Sequence, residues 1–99
     1  MDIKKIRSIV SKNKYRVSDH AVKRMIKRTI DLKEIKEVVL KGEIIEEYPD
    51  DKYSPSCLIY GKTITGKDLH VQISLPPKIV LITVYEPDPA EWINCKIRR

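Results

Sequence analysis

Apolar residues recur at helical spacing through residues 3–41, and beyond that in short β-branched runs. Ile3, Ile6, Ile9 and Val10 stand one turn apart among lysines, so the segment 1–13 reads as an amphipathic helix. Tyr15–Val17 is a short extended stretch. Ser18 can cap a second helix, with Asp19 in its first turn. Asp31 can cap a third, running to about Lys41 with Leu32, Ile35, Val38 and Val39 as its stripe. Gly42 follows where a glycine beyond a helix end is expected.

After Gly42 the period changes. Glu43–Tyr48 reads as a strand that Pro49-Asp50-Asp51 breaks. Ser56–Tyr60 and Leu69–Leu75 are two more, and the stretch Gly61–Gly66 fits a hairpin connection between them. Pro76-Pro77 ends the third strand. Ile79–Tyr85 is the fourth and is apolar on both faces, so a central place in the sheet is expected. Asp88 before Pro89, with Glu91 third in line, predicts a short C-terminal helix bearing Trp92. Its basic end, Lys96-Ile97-Arg98-Arg99, suits the negative end of a helix dipole. Helices first and then an antiparallel four-stranded meander make an α+β layout.

A chain of 99 residues supports one domain spanning 1–99, because a second would be too small to bury its own core. Hydrophobic residues at 41% beside charged residues at 34% read as globular rather than disordered. Phe is absent, so the core must rest on aliphatics. Met1–Asn13 has no signal-peptide apolar region, and the run near Ile79–Val84 is too short to span a bilayer. No membrane partner is expected. Cys57 and Cys95 lack metal-ligand spacing and cannot make a disulfide framework, so a reduced cytoplasm is the expected compartment. No metal or cofactor is expected.

Charge changes the picture. The net charge is +6, but residues 1–30 hold ten Lys/Arg against two acids, and residues 31–95 hold seven against twelve. The last four residues add three more cations. Such asymmetry fits a basic face for a polyanion opposite an acidic middle, or a lysine-rich surface in water. A helical wheel sharpens it. With His20 at zero, Arg24 falls near ~40° and Arg28 near ~80°, with Lys27 and Lys23 on the other flank. Ala21, Met25, Val22 and Ile26 take the opposite arc. Arginine clamps phosphate bidentately and lysine serves as a mobile point charge. Histidine is the residue type that titrates nearest neutrality. His20, Arg24 and Arg28 on successive turns therefore set a proton-transfer group beside two phosphate clamps. The alternative is a solvated basic face, or one paired with Glu46, Glu47, Asp50 and Asp51.

In Leu69–Leu75, alternation puts His70 with Gln72 and Ser74, away from Leu69, Val71 and Ile73. His70 is either a hydrogen-bonded structural residue or a catalyst. Two histidines meeting across a cleft could act as acid and base on a ribose–phosphate ester. Tyr85 closes the central strand, where a polar group can be presented to a cleft or simply packed with its hydroxyl wet. Tyr48, Tyr53 and Tyr60 could stack on bases or pack in the sheet. Trp92 reads as a core lid, and Cys57 and Cys95 as small buried hydrophobes.

The run His20-Ala21-x-x-Arg24-Met25-x-x-Arg28 resembles the opening motif of the domain-of-unknown-function family four-two-five-eight. Gly42, Ile45-Glu46-x-Tyr48-x-x-Asp51, Ser56-Cys57-Leu58, Leu69-His70-Val71 and Ile82-Thr83-Val84-Tyr85-x-Pro87 resemble its later pieces, so the likeness covers about residues 15–92. One departure stands out: a glycine is expected after the second arginine, and Thr29 stands there. The resemblance implies a relation to RelE/ParE-like toxins, with N-terminal helices on a curved, mainly antiparallel sheet. It also implies either metal-independent endoribonuclease activity or inhibition by binding. The matched positions that carry over are His20, Arg24, Arg28, His70 and Tyr85. The expectation is thus a toxin-like, metal-independent endoribonuclease. His20, His70 and Tyr85 are its catalytic candidates, and Arg24, Arg28, Lys23 and Lys27 bind RNA. An acidic antitoxin is a possible partner. A non-catalytic nucleic-acid-binding module and a protein-interaction module are the alternatives.

Overall fold

Local capping chemistry fixes where the helices begin. The computed structural model describes residues 2–52 and 54–99, and in them Asp2 accepts a hydrogen bond from the Lys4 N–H at the start of α1 (Ile3–Ser11). Ser18 Oγ accepts from the Ala21 N–H at 3.0 Å and starts α2 (Asp19–Arg28). Asp31 and Glu34 form a reciprocal capping box that starts α3 (Leu32–Lys41). The ends of α2 and α3 differ from expectation. Thr29, not a glycine, takes the left-handed conformation after α2, with φ 54°. Gly42 after α3 is extended rather than left-handed. Close approach is what requires glycine there: a Cβ would fall on the carbonyl oxygens of Tyr60 and Val38.

The sheet departs from the expected four antiparallel strands. Five strands form it: β1 (Arg16–Val17), β2 (Glu43–Tyr48), β3 (Ser56–Lys62), β4 (Asp68–Ser74) and β5 (Val80–Tyr85), in the order β1-β5-β4-β3-β2. The β2–β3–β4–β5 meander is antiparallel, but β1 runs parallel to β5. Arg16 and Ser18 donate their N–H groups to the Ile79 and Leu81 carbonyls, and Ser18 Oγ donates to the Ile82 carbonyl, 64 positions away. The extended stretch before α2 thus satisfies the outer edge of β5 and leaves that apolar strand inside the sheet.

The expected C-terminal helix does not form either. Asp88 does open a turn, since its carbonyl accepts from the Glu91 and Trp92 N–H groups. The chain then leaves it as a hairpin, β6 (Trp92–Ile93) and β7 (Ile97–Arg98). Asn94 and Cys95 at its tip have φ of 50° and 63°, and the Lys96 N–H closes onto the Ile93 carbonyl. Two left-handed residues make a turn whose twist matches antiparallel strands. Tertiary contacts hold the hairpin: Trp92 is buried, Lys96 pairs with Glu43 at 3.0 Å, and Arg98 pairs with Glu46 at 3.0 Å. Two of the tail cations are therefore engaged by the acids of β2.

The main core lies on one face, where Ile59, Leu69, Val71 and Leu81 meet Ile6, Ile35 and Val38 from α1 and α3. A register shift in the β4–β5 pairing passes over Ile82, so Leu81 and Val84 both reach this core. The other face carries Tyr60, His70, Gln72, Thr83 and Tyr85, and the β6–β7 hairpin covers part of it. α2 packs on β5.

Candidate nucleic-acid interface

α2 meets the sheet through a narrow ridge. Ala21 is buried and Met25 packs on the core, but Val22 is 41% and Ile26 76% exposed. The apolar arc of the wheel is therefore only half used, because α2 leans on the edge of the sheet rather than across it. Rotating about this ridge carries the basic side toward the second face. Arg24 and Arg28 line a groove of about 440 Å³ with Thr83, Tyr85, Glu86, Asp88 and Glu91. No carboxylate of the described residues lies within 4.0 Å of Arg24, Arg28, Lys23 or Lys27 in an ion pair. The acids weighed as partners for this helix do not pair with it, and Glu46 is held by Arg98. One wall of the groove is cationic and the other acidic. A phosphate entering it would be drawn to the α2 wall and repelled by the acidic one.

Tyr85 connects the groove to His70. The two residues are direct partners across β4 and β5, and Tyr85 Oη lies 3.2 Å from His70 Nδ1. His70 has no exposed surface. Its Nε2 is 2.6 Å from the Cys95 carbonyl, which can only accept, so Nε2 carries the proton. Nδ1 is then the acceptor, and the Tyr85 hydroxyl donates to it. Edge-on contacts with the rings of Tyr60, Tyr85 and Trp92 complete the enclosure. Burial is the main cause that lowers the His70 pKa, which keeps the ring neutral. Burial likewise raises the Tyr85 pKa and keeps its phenol protonated.

The structure thus brings Arg24, Arg28 and Tyr85 together, with His70 directly behind Tyr85. It does not bring the two histidines to a common open cleft. His20 is exposed on the first turn of α2, outside the residues that line the groove. His70 can meet a substrate only through Tyr85. Lys23 and Lys27 are exposed on the flank of the same helix. Tyr48 and Tyr60 donate to the carboxylates of Glu46 and Asp68, and Tyr53 lies outside the described residues. Burial pushes the Cys57 thiol up to about 11, which makes it a poor nucleophile.

Sequence reading passed over Thr83, Gln72 and the Cys95 carbonyl. The alternation that set Gln72 beside His70 was the one available signal. A second hollow of about 440 Å³, with Tyr15, Leu32 and Leu40 in its lining, borders α3 and contains none of the candidate residues. Among the described residues no group of three or more His, Cys, Asp or Glu side chains is placed to hold a metal ion. No described helix is long and apolar enough to cross a membrane.

A family model described as a domain of unknown function (DUF4258) matches residues 17–86, which include the α2 motif and the strands that carry His70 and Tyr85. No curated protein and no solved structure matches the chain.

Proposed function

The chain belongs to the DUF4258 family, and from the groove whose arginines and tyrosine lie in its matched segment we propose that it binds single-stranded RNA and cleaves it without a metal. The observation that carries this reading is the pair of unpaired arginines beside a tyrosine hydroxyl tied to a neutral, buried histidine. Arg24 and Arg28 hold the phosphodiester and offset charge that builds on phosphorus. The ribose 2′-oxygen attacks phosphorus. Its proton passes to Tyr85 Oη as the phenol proton passes to His70 Nδ1, so the charge left in the protein rests on the imidazole. The bond from phosphorus to the 5′-oxygen breaks, and solvent water supplies the proton to that oxygen, since His20 lies outside the groove. The products are a 2′,3′-cyclic phosphate and a 5′-hydroxyl. Uncontrolled, such an activity is toxic to a growing cell, and an acidic partner covering the groove would restrain it.

Cleavage of labelled single-stranded RNA in EDTA tests the proposal. Wild type is expected to give cyclic-phosphate ends. Tyr85→Phe is expected to lose about 100-fold or more in rate, the usual size of a proton-transfer contribution, while still binding RNA. An unchanged rate in Tyr85→Phe overturns the relay. Binding without turnover by wild type reduces the function to RNA binding.

A second reading has its own observation. Val22 and Ile26 stand exposed beside Lys23 and Lys27, a pattern that suits an acidic amphipathic protein segment. Tight binding of such a partner, with no RNA affinity in the free chain, would favour it.

A further inference from the structure

The second sheet face continues beyond the groove. Thr83, which lines it, lies directly opposite Gln72 on β4, one strand spacing or about 5 Å away. Gln72 is half-buried and its side-chain amide is anchored. Its nitrogen lies 3.1 Å from Ser56 Oγ and 3.3 Å from Asp51 Oδ2, and Ser56 Oγ donates to the same Asp51 oxygen at 2.9 Å. A carboxylate only accepts, so the amide nitrogen must be the atom turned toward Asp51. The amide cannot flip without setting two oxygens against each other. Gln72 Oε1 is therefore a fixed acceptor, and no described residue donates to it. Ser56, fully buried, fixes the other corner of this triangle.

The chemistry of this patch is opposite to that of the groove. The arginines attract phosphate. The anchored amide oxygen, with the Asp51 carboxylate behind it, repels phosphate and accepts from donors. We infer that Gln72 selects a base bearing an exocyclic amino group over uracil, in the nucleotide whose phosphate sits at Arg24 and Arg28. Adenine, cytosine and guanine each present an amino donor. Uracil has no exocyclic donor, and its one ring N–H stands between two carbonyl oxygens that the fixed acceptor repels. Single-stranded RNA is commonly read at such edges once its bases are splayed out. This inference rests on the RNA-binding reading of the groove.

Binding of 2′-O-methyl RNA strands, which cannot supply the attacking hydroxyl, tests it without interference from cleavage. Four strands, a uracil run with a single central A, C, G or U, are compared by fluorescence anisotropy. Wild type is expected to bind the amino-bearing strands about tenfold tighter than the all-uracil strand, the size of one selective hydrogen bond. Gln72→Met is expected to lose that preference and to bind the all-uracil strand at least as tightly as wild type does, which an unfolded variant could not do. Equal affinities in wild type, or a preference for uracil, overturn the assignment of Gln72 and leave the groove standing. A Gln72→Met variant that keeps the preference also overturns it. Failure of wild type to bind any strand overturns the groove reading and this inference together.

Discussion

Replacing His70 with leucine isolates the buried link between the hairpin and the site. The side chains are similar in size, but leucine cannot donate to the Cys95 carbonyl or accept from Tyr85. Two hydrogen bonds are lost, each worth about 0.5–1.5 kcal/mol net, and a poorly solvated carbonyl left behind costs a further ~1–3 kcal/mol. The destabilisation is therefore about 2–6 kcal/mol. For a chain of this size each kcal/mol moves Tm by about 4–8 °C, so a fall of at least ~8 °C is expected in a circular-dichroism melt at pH 7.5. The pH dependence supplies a second arm. The folded-state pKa of His70 lies below its unfolded value of about 6.5, so the unfolded chain binds this proton more readily. The stabilising effect is complete above that unfolded value and is lost as pH falls through the folded one. The lowered pKa values of Glu46 and Asp68 act only at more acidic pH, where carboxylates titrate. Wild type is expected to lose stability between pH 7.5 and 5.5, and the leucine variant to lose less over the same window. A variant within about 1 kcal/mol of wild type, or parallel pH profiles for the two, would refute the arrangement argued for His70.

Three further outcomes rest on particular contacts. Thr29→Gly should raise stability by about 1 kcal/mol, because a β-branched residue is held at φ 54°; a denaturant midpoint that does not rise would contradict the assigned conformation. Gly42→Ala should cost about 1–3 kcal/mol in the same titration, since its methyl group meets backbone carbonyls that cannot turn aside. Arg98→Ala removes the Glu46 pair and the stack on Trp92, 4.5 Å from the guanidinium carbon to the ring centre. Faster hydrogen exchange at residues 92–98, with a global loss of only ~0.5–2 kcal/mol, is the expected signature.

What could be read from the chain was local in origin. The caps Ser18 and Asp31, the stripe of α3 and the limits of β2 depend on side chains reaching three or four positions, and these form where the sequence pointed. The alternation around His70 correctly separated it from Leu69, Val71 and Ile73, which face the core. The failures were of long range. β1 is a strand only because β5 offers an edge 64 positions away. The motif from Asp88 to Glu91 does start a turn, but the hairpin beyond it depends on Trp92 packing against His70, and Arg98 pairing with Glu46, across the fold. The basic tail, read as a helix end and part of the polyanion surface, is largely taken up by that hairpin. The wheel of α2 grouped Arg24 with Arg28 correctly. It could not show that Val22 and Ile26 would stay exposed, because that depends on how far the sheet extends beneath the helix.

The salt dependence of RNA binding by an Arg24→Ala/Arg28→Ala double variant tests the central claim most directly. Each phosphate contact on a single strand contributes about 0.7 to the slope of log affinity against log salt, so removing two should flatten the slope by about 1.4. A Lys4→Ala/Lys5→Ala variant removes the same charge from the exposed side of α1 and should keep the wild-type slope. That pattern would locate the phosphate at the α2 groove. Equal slopes in wild type and both variants would contradict it.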